Sequence, residues 1–281
     1  MKKAGIMNHE SGISHLPQTP PRAGGGPAGT LFVIATPIGN LQDITLRAIE
    51  VLKSVDLIAC EDTRVTGKLL AHFDIKKPMV SYFQHSKLSK VELIIEKLLN
   101  GENIALVTDA GTPGISDPGQ ELVSRIRQSV IARRGATKRS IDGEDCRASR
   151  GGGMARNDNS KVKIIPIPGP SALGAAASVS GLIEKEFYFA GFLPKKKGRQ
   201  TFFKNASLFH CPIVVYESSL RLERTLNDIQ KYLGDDTEVF IAREMTKMFE
   251  EYWGGPVGNV LGDLKNHQMK GEIVLMIKKL K

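Results

Sequence analysis

Apolar positions along the chain follow two patterns: short continuous runs typical of buried strands, and segments with the spacing of amphipathic helices. In the first half of the chain we predict strands at 31–36, 55–60, 79–83, 104–108 and 162–166. Segments with helical spacing separate these strands, most clearly at 44–53 and 91–99. This alternation predicts βα units and a mainly parallel sheet.

A second group of short strands is predicted at 187–192, 213–217, 238–243 and 272–278. Only some of the segments between them have helical spacing, most clearly 220–232, so we expect a mixed sheet there. The prolines of 166–170 lack amide donors and favour extended backbone, which predicts a hinge. The expected α/β architecture therefore has a parallel-sheet N-terminal domain at 31–167 and a mixed-sheet C-terminal domain at 168–281.

Two stretches do not fit this alternation. Residues 1–30 are rich in Gly, Pro and polar residues, which predicts a disordered leader. Residues 129–159 are rich in Arg and Gly and lack apolar periodicity, which predicts a disordered insertion within the first domain. Its arginines leave open a contact with nucleic acid, an incidental role, or a translated intervening sequence.

Composition narrows the cellular setting and the partners. Cys60, Cys146 and Cys211 are far apart and form no C-x-x-C pair, which favours a reducing, cytoplasmic compartment without disulfides. No apolar run approaches the length of a membrane span, although the leader leaves organellar targeting open. Lys and Arg outnumber Asp and Glu by 39 to 30, a formal charge of +9. This balance favours a polyanionic partner such as nucleic acid, although a soluble protein can be basic without one.

Two loops that contain Pro and Gly each follow an apolar run, T-P-I-G-N-L at 36–41 and D-A-G-T-P-G-I-S-D-P-G at 109–119. Loops at the carboxyl ends of strands line the ligand crevice of open α/β sheets. Neither loop has the glycine spacing of a dinucleotide or triphosphate site. Their glycines let the backbone approach a ligand, and Asp43, Asp109 and Asp117 either contact the ligand or cap helices.

Charged residues also follow other predicted strands. Glu61-Asp62-Thr63-Arg64 either faces the same crevice or caps a helix with a local ion pair. In the second half, 216–218 and 242–247 end strands with polar residues and suggest a second wall for the crevice.

A basic turn precedes aromatic residues in the second half. It contains Lys195, Lys196, Lys197 and Arg199. These side chains either bind phosphates or form a solvated charged turn. No cluster of His, Cys and carboxylates has the spacing of metal ligands, so we expect no metal.

Taken in order, several short segments resemble those of the tetrapyrrole methylase-like superfamily, and most closely its branch that methylates ribosomal RNA. They are T-P-I-G-N-L, E-D-T-R, T-D-A-G-T-P-G-I-S-D-P-G, P-I-P-G-P-S-A, G-F-L-P, Y-E-S and A-R-E-M-T-K. The resemblance spans 31–281 apart from the insertion. It implies a homodimer that binds S-adenosylmethionine between its two α/β domains and methylates a cytidine 2'-hydroxyl in 16S ribosomal RNA of the small subunit.

The resemblance also implies a set of cofactor neighbours. They are Pro37, Gly39, Asp109, Ala110, Gly111, Thr112, Ile115, Ser116, Asp117, Pro118, Gly119, Pro168, Gly169, Pro170, Ser171, Ala172, Tyr216 and Ala242. For the proton acceptor we expect Glu61, Asp62 or Glu244. Arg64 and Lys247 would orient RNA phosphate or stabilise a developing alkoxide.

Two other functions stay open at this point. A tetrapyrrole C-methyltransferase would need an apolar pocket for the macrocycle and would show no preference for RNA. A non-catalytic relative that binds RNA or the cofactor would result if the insertion had disabled turnover.

Overall fold

The computed structural model of the chain describes residues 27–82, 88–139 and 162–279. Within these ranges ten strands and eight α-helices form two α/β units, each built on a five-stranded sheet. The two sheets correspond to the two halves of the predicted architecture, one parallel and one mixed.

The first sheet is entirely parallel, with strand order β3-β2-β4-β1-β5. Its strands are β1 (Thr30–Ile34), β2 (Leu57–Cys60), β3 (Met79–Ser81), β4 (Ile104–Leu106) and β5 (Lys163–Ile167). Its helices are α1 (Leu46–Ser54), α2 (Thr63–His72), α3 (Leu88–Leu99) and α4 (Gly119–Arg139). Helices α1 and α2 pack on one face and α3 and α4 on the other. Burial on both faces explains why the three central strands, β1, β2 and β4, are continuous apolar runs in the sequence.

The second sheet is mixed, with strand order β6-β7-β10-β8-β9. Its strands are β6 (Tyr188–Phe192), β7 (Ile213–Ser218), β8 (Glu238–Arg243), β9 (Glu251–Pro256) and β10 (Glu272–Lys278). Its helices are α5 (Ala172–Ser180), α6 (Arg199–Ala206), α7 (Ser219–Leu233) and α8 (Val257–Asp263). Only β6 and β7 are parallel, and β10 pairs antiparallel with both β7 and β8. Helices α6, α7 and α8 cover one face of this sheet, and α5 covers the other.

Three local predictions need correction. Strand β9 was not predicted, because Gly254, Gly255 and Pro256 disfavour a strand; its position at the edge of the sheet tolerates them. Ordered structure starts before residue 31, since Thr30 belongs to β1 and its amide donates to Asn103 Oδ1 at 3.0 Å. Helix α4 continues to Arg139, beyond the predicted start of the insertion, because Ala and Arg favour helix without an apolar stripe.

Parts of the predicted leader and insertion, 1–26 and 140–159, lie outside the described residues. Both therefore stay predictions there, as does the exact domain boundary. The chain passes from the first sheet to the second between Ile167, where β5 ends, and Ala172, where α5 starts and packs on the second sheet. No helix in the described ranges has the length and apolar character needed to cross a membrane.

Candidate active site

A cavity of about 420 Å³ lies where the loops of the two domains meet. Its first wall follows β1, β2, β4 and β5, and its second follows β6, β7 and β8 and includes the start of β10. The start of β10 lies at this end of the sheet because β10 runs antiparallel to β7. The cavity is thus the crevice at the carboxyl ends of strands that the sequence predicts.

Ten residues predicted to contact the cofactor line the cavity. They are Asp109, Ala110, Gly111, Thr112, Ile115, Ser116, Asp117, Ser171, Ala172 and Tyr216. Eight others lie outside this lining, namely Pro37, Gly39, Pro118, Gly119, Pro168, Gly169, Pro170 and Ala242. Of the residues predicted to take part in catalysis, Glu61, Glu244 and Lys247 line the cavity, whereas Asp62 and Arg64 do not.

The loops after β1 and β4 are joined by hydrogen bonds. Thr36 and Gly111 exchange two backbone hydrogen bonds, of 2.9 and 3.0 Å, and form an isolated bridge. The Thr36 hydroxyl also donates to the carbonyl of Thr108 at 3.0 Å. Residues predicted from separate parts of the sequence therefore form one rigid wall.

The loop after β4 has an unusual backbone that one carboxylate holds in place. Gly111, Gly114 and Ser116 all have positive φ, of 83°, 89° and 63°. The Asp117 carboxylate accepts the amide of Gly114, with distances of 2.8 and 2.9 Å to its two oxygens, and the amide of Gly119 at 2.7 Å. Burial raises the pKa of Asp117 against the effect of these amides. Asp117 therefore both lines the cavity and fixes the shape of its loop.

The loop that follows β5 closes this wall. Ser171 is the N-cap of α5, and its hydroxyl accepts the amide of Gly174. The Thr112 hydroxyl donates to the carbonyl of Pro170 at 3.0 Å, which ties this loop to the loop after β4. A Cβ on Gly169 would lie 3.0 Å from that of Ala35, so glycine permits the close approach of the segment that follows β1.

The acids after β2 have different roles. Glu61 points into the cavity and accepts the Thr108 hydroxyl at 2.9 Å. Asp62 caps α2, accepting the amide of Arg64 at 2.8 Å, and also binds the Arg64 guanidinium. This pairing lowers the pKa of Asp62 to about 2. For Asp62 and Arg64 the structure thus confirms the helix-cap alternative.

Asp109 lies beside these acids on the lining. Its Oδ1 accepts the amide of Asp62 at 3.1 Å. Burial raises the pKa of Asp109, and the nearby carboxylates of Glu61 and Asp62 raise it further. The first wall therefore holds a carboxyl group with a pKa displaced toward neutrality.

On the second wall, Lys247 lies between two carboxylates. Its Nζ donates to Glu244 at 2.8 Å and to Glu272 at 3.1 Å. Burial opposes the charged forms, yet the pairing raises the pKa of Lys247 and lowers that of Glu244. Both groups are therefore ionised at neutral pH. Glu272 was missed in the sequence because only the pairing of β10 places its first residue at this site.

The loop after β8 touches the first domain. The amide of Asn40 donates to the Thr246 hydroxyl at 3.1 Å. A Cβ on Gly39 would lie 2.5 Å from Lys247 Cγ and 2.8 Å from Thr246 Oγ1, so glycine is needed for this approach. Thr246 and Glu244 both have positive φ, which marks strain at a contact between the domains.

Tyr216 and Phe192 line the cavity next to each other, with ring centroids 5.5 Å apart in an edge contact. Phe192 is 62% exposed, whereas Ala242 is buried beneath the lining. Phe192, Met245 and Val274 are apolar lining residues that were absent from the predicted set. In the sequence they cannot be distinguished from other apolar residues of strands and loops.

The basic turn divides into two parts. Lys195, Lys196 and Lys197 are exposed beyond the end of β6. Arg199 is only 3% exposed, and it donates to Asp228 at 2.7 Å and to the Thr225 hydroxyl at 2.9 Å. The prediction that Arg199 contacts phosphate is therefore wrong, because its guanidinium is used inside the domain.

Charge on the lining is strongly unbalanced. The carboxylates are Glu61, Asp109, Asp117, Glu217, Glu244 and Glu272. Lys247 provides the one ammonium group among these lining residues. In the described ranges, no group of three His, Cys, Asp or Glu residues is arranged to hold a metal ion. The excess of carboxylates on the lining favours a positively charged ligand.

Comparison with known proteins agrees with the segments quoted above. Residues 30–132 and 153–261 match the family described as Tetrapyrrole (Corrin/Porphyrin) Methylases. Relatives called Ribosomal RNA small subunit methyltransferase I are 41% identical in Synechocystis and 42% in Pasteurella multocida. Each alignment covers 89% of this chain, with 78% and 79% of the relatives. The chain belongs to the ribosomal RNA small subunit methyltransferase I family. The gap in the family match, 133–152, lies within the predicted insertion.

Solved structures of this wider family support the fold. Uroporphyrin-III-C-methyltransferase from Thermus thermophilus has a TM-score of 0.56 at 15% identity, covering 89% of this chain and 94% of that one. The methyltransferase CobJ has a TM-score of 0.58 at 14% identity, covering 90% and 95%. The predicted two-domain α/β fold of a tetrapyrrole methylase is confirmed.

Proposed function

We propose that the chain transfers a methyl group from S-adenosylmethionine to the 2'-hydroxyl of a cytidine in 16S ribosomal RNA of the small subunit. As a member of the ribosomal RNA small subunit methyltransferase I family, it is a methyltransferase. The observation that carries the proposal is the acidic cavity between the two domains, with an exposed turn of three lysines that starts three residues after Phe192 of the lining.

The cavity fits the proposed donor in size and charge. About 420 Å³ is typical of small-molecule sites. S-adenosylmethionine carries an ammonium group and supplies its methyl group from a positively charged sulfur. Glu61, Asp109 and Asp117 would attract these charges, and Ile38 and Val274 provide apolar surface for an adenine.

The protein would act mainly by alignment and proton removal. Asp62 is unsuited to accept the proton because it is paired with Arg64 and lies off the lining. Glu244 is occupied by Lys247. We therefore assign the role to Asp109, with Glu61 beside it, because its raised pKa makes it a better base.

Lys247 would stabilise the negative charge that develops on the attacking oxygen. Its two carboxylate partners keep it protonated and fix its position on the lining. A positioned cation is most effective where charge appears only in the transition state.

RNA would be bound outside the acidic cavity, by Lys195, Lys196 and Lys197. The same acidic lining argues against a tetrapyrrole substrate, because such precursors carry several carboxylates that Glu61, Asp109 and Asp117 would repel. A homodimer and a cytoplasmic location are further expectations, and light scattering of the purified protein tests the dimer.

The decisive experiment offers labelled S-adenosylmethionine with unmethylated small subunits, naked 16S RNA or a porphyrinoid. We expect label in RNA, recovered after nuclease digestion as 2'-O-methylcytidine by mass spectrometry. Label on a base or on the porphyrinoid would overturn the proposal. Donor binding without any transfer would indicate the non-catalytic alternative.

A further inference from the structure

A buried carboxylate at the cavity wall is connected to the basic turn. Glu217 follows Tyr216 on β7 and is 1% exposed. It accepts the amide of Ser218 and the hydroxyl of Thr225, each at 2.9 Å, and the guanidinium of Arg221. A second guanidinium, that of Arg199, lies 3.9 Å away. The group is therefore fully bonded inside the second domain.

The arginines of this cluster also hold the main chain that leads into the basic turn. Arg221 donates to the carbonyl of Leu193 at 3.1 Å. Arg199 and Arg224 lie at the limit of hydrogen bonding, 3.5 Å, from the carbonyls of Pro194 and Lys195. Guanidinium groups thus contact three consecutive carbonyls, the last of which belongs to Lys195, the first of the exposed lysines.

Burial of such a cluster is a poor source of stability, since removing charges from water offsets most of their attraction. The hydrogen bonds of this cluster instead indicate a role in ordering the backbone. Glu217 anchors Arg221, and Arg221 sets the backbone immediately before Lys195, Lys196 and Lys197. A turn ordered in advance loses less conformational entropy when it binds a polyanion.

We infer that Glu217 and Arg221 are positioning residues for the RNA substrate, because they hold the backbone that leads into the Lys195–197 turn. The inference rests on the proposed function, since it assigns these lysines to RNA phosphates. Tyr216, Glu217 and Ser218 all line the cavity, so one short segment would connect the donor site to the turn that we assign to RNA.

Arg221→Met tests this role because methionine keeps much of the packing volume but neither hydrogen bond. We expect the KM for small subunits to rise about tenfold, with little change in kcat or in calorimetric donor affinity. Arg127→Met is the matched control, since it removes one charge from an exposed position on α4. Arg221→Lys keeps the charge but cannot bridge Glu217 and Leu193, so it should recover only part of the loss.

A double-mutant cycle separates positioning from general damage. In a background where the three lysines are alanine, Arg221→Met should raise KM no further, because the contacts that it positions are gone. An equal rise with and without the lysines, or a rise matched by Arg127→Met, would overturn the inference. If the wild-type protein fails to methylate small subunits at all, the proposed function fails instead.

Discussion

Asp117 offers the sharpest test of how the site is held together. Its carboxylate accepts the amides of Gly114 and Gly119 over distances of 2.7 to 2.9 Å. In Asp117→Asn one oxygen is replaced by an NH2 group, which would place a donor against the Gly114 amide. The loop that bears Ser116, a residue with a φ of 63°, would lose its restraint.

The size of the effect follows from the hydrogen bonds. A bond to a charged group contributes about 1 kcal/mol more than a neutral one, so two weakened bonds amount to roughly 2 kcal/mol. The raised pKa of Asp117 shows that burial already opposes its charge, which reduces this figure. We expect a loss of about 1–2 kcal/mol in unfolding free energy and about tenfold weaker donor binding.

Urea denaturation and calorimetry with S-adenosylmethionine measure the two quantities. Asp236→Asn, at an exposed turn position, is the control for the change in charge. Ser116→Gly should recover part of the stability, because glycine adopts positive φ without strain. Stability within about 0.5 kcal/mol of wild type, together with unchanged donor affinity, would refute the idea that this carboxylate holds the loop.

Gly39→Ala should lower the initial rate of methylation about tenfold or more, because the added Cβ would lie 2.5 Å from Lys247 Cγ. Gly262→Ala is the control, since a Cβ there would have no other atom within 4 Å. Asp109→Asn should lower kcat about 100-fold and abolish the fall in rate that protonation of Asp109 causes as the pH drops through its raised pKa. If the variant kept the same fall in rate at low pH, Asp109 would be excluded as the base. Asp62 has a lowered pKa of about 2, so its stabilising pairing is complete above its unfolded pKa of about 4 and lost toward pH 2. Asp62→Asn should therefore alter acid unfolding while the pH–rate profile near neutrality stays the same. Donor binding measured by calorimetry should survive EDTA, and its abolition would contradict a metal-free site.

The sequence alone determined the order and type of most elements. Continuous apolar runs predicted the central parallel strands of the first domain, because strands buried on both faces need apolar residues at successive positions. Local chemistry also located the loops at 109–119 and 168–172, since Gly, Pro and capping residues act over a few positions. The assignment of these loops to a methyl-donor site came from the family resemblance, because residue spacing alone does not identify the ligand.

The tertiary structure decided which side chains meet. Arg199 and Lys197 are two positions apart, yet one is buried against Asp228 and the other faces solvent. Glu272 reaches Lys247 only because β10 pairs between β7 and β8. Such outcomes depend on strand register and on packing between residues far apart in the chain. Local pattern restricts the backbone, whereas the environment of a charge is set by the whole fold.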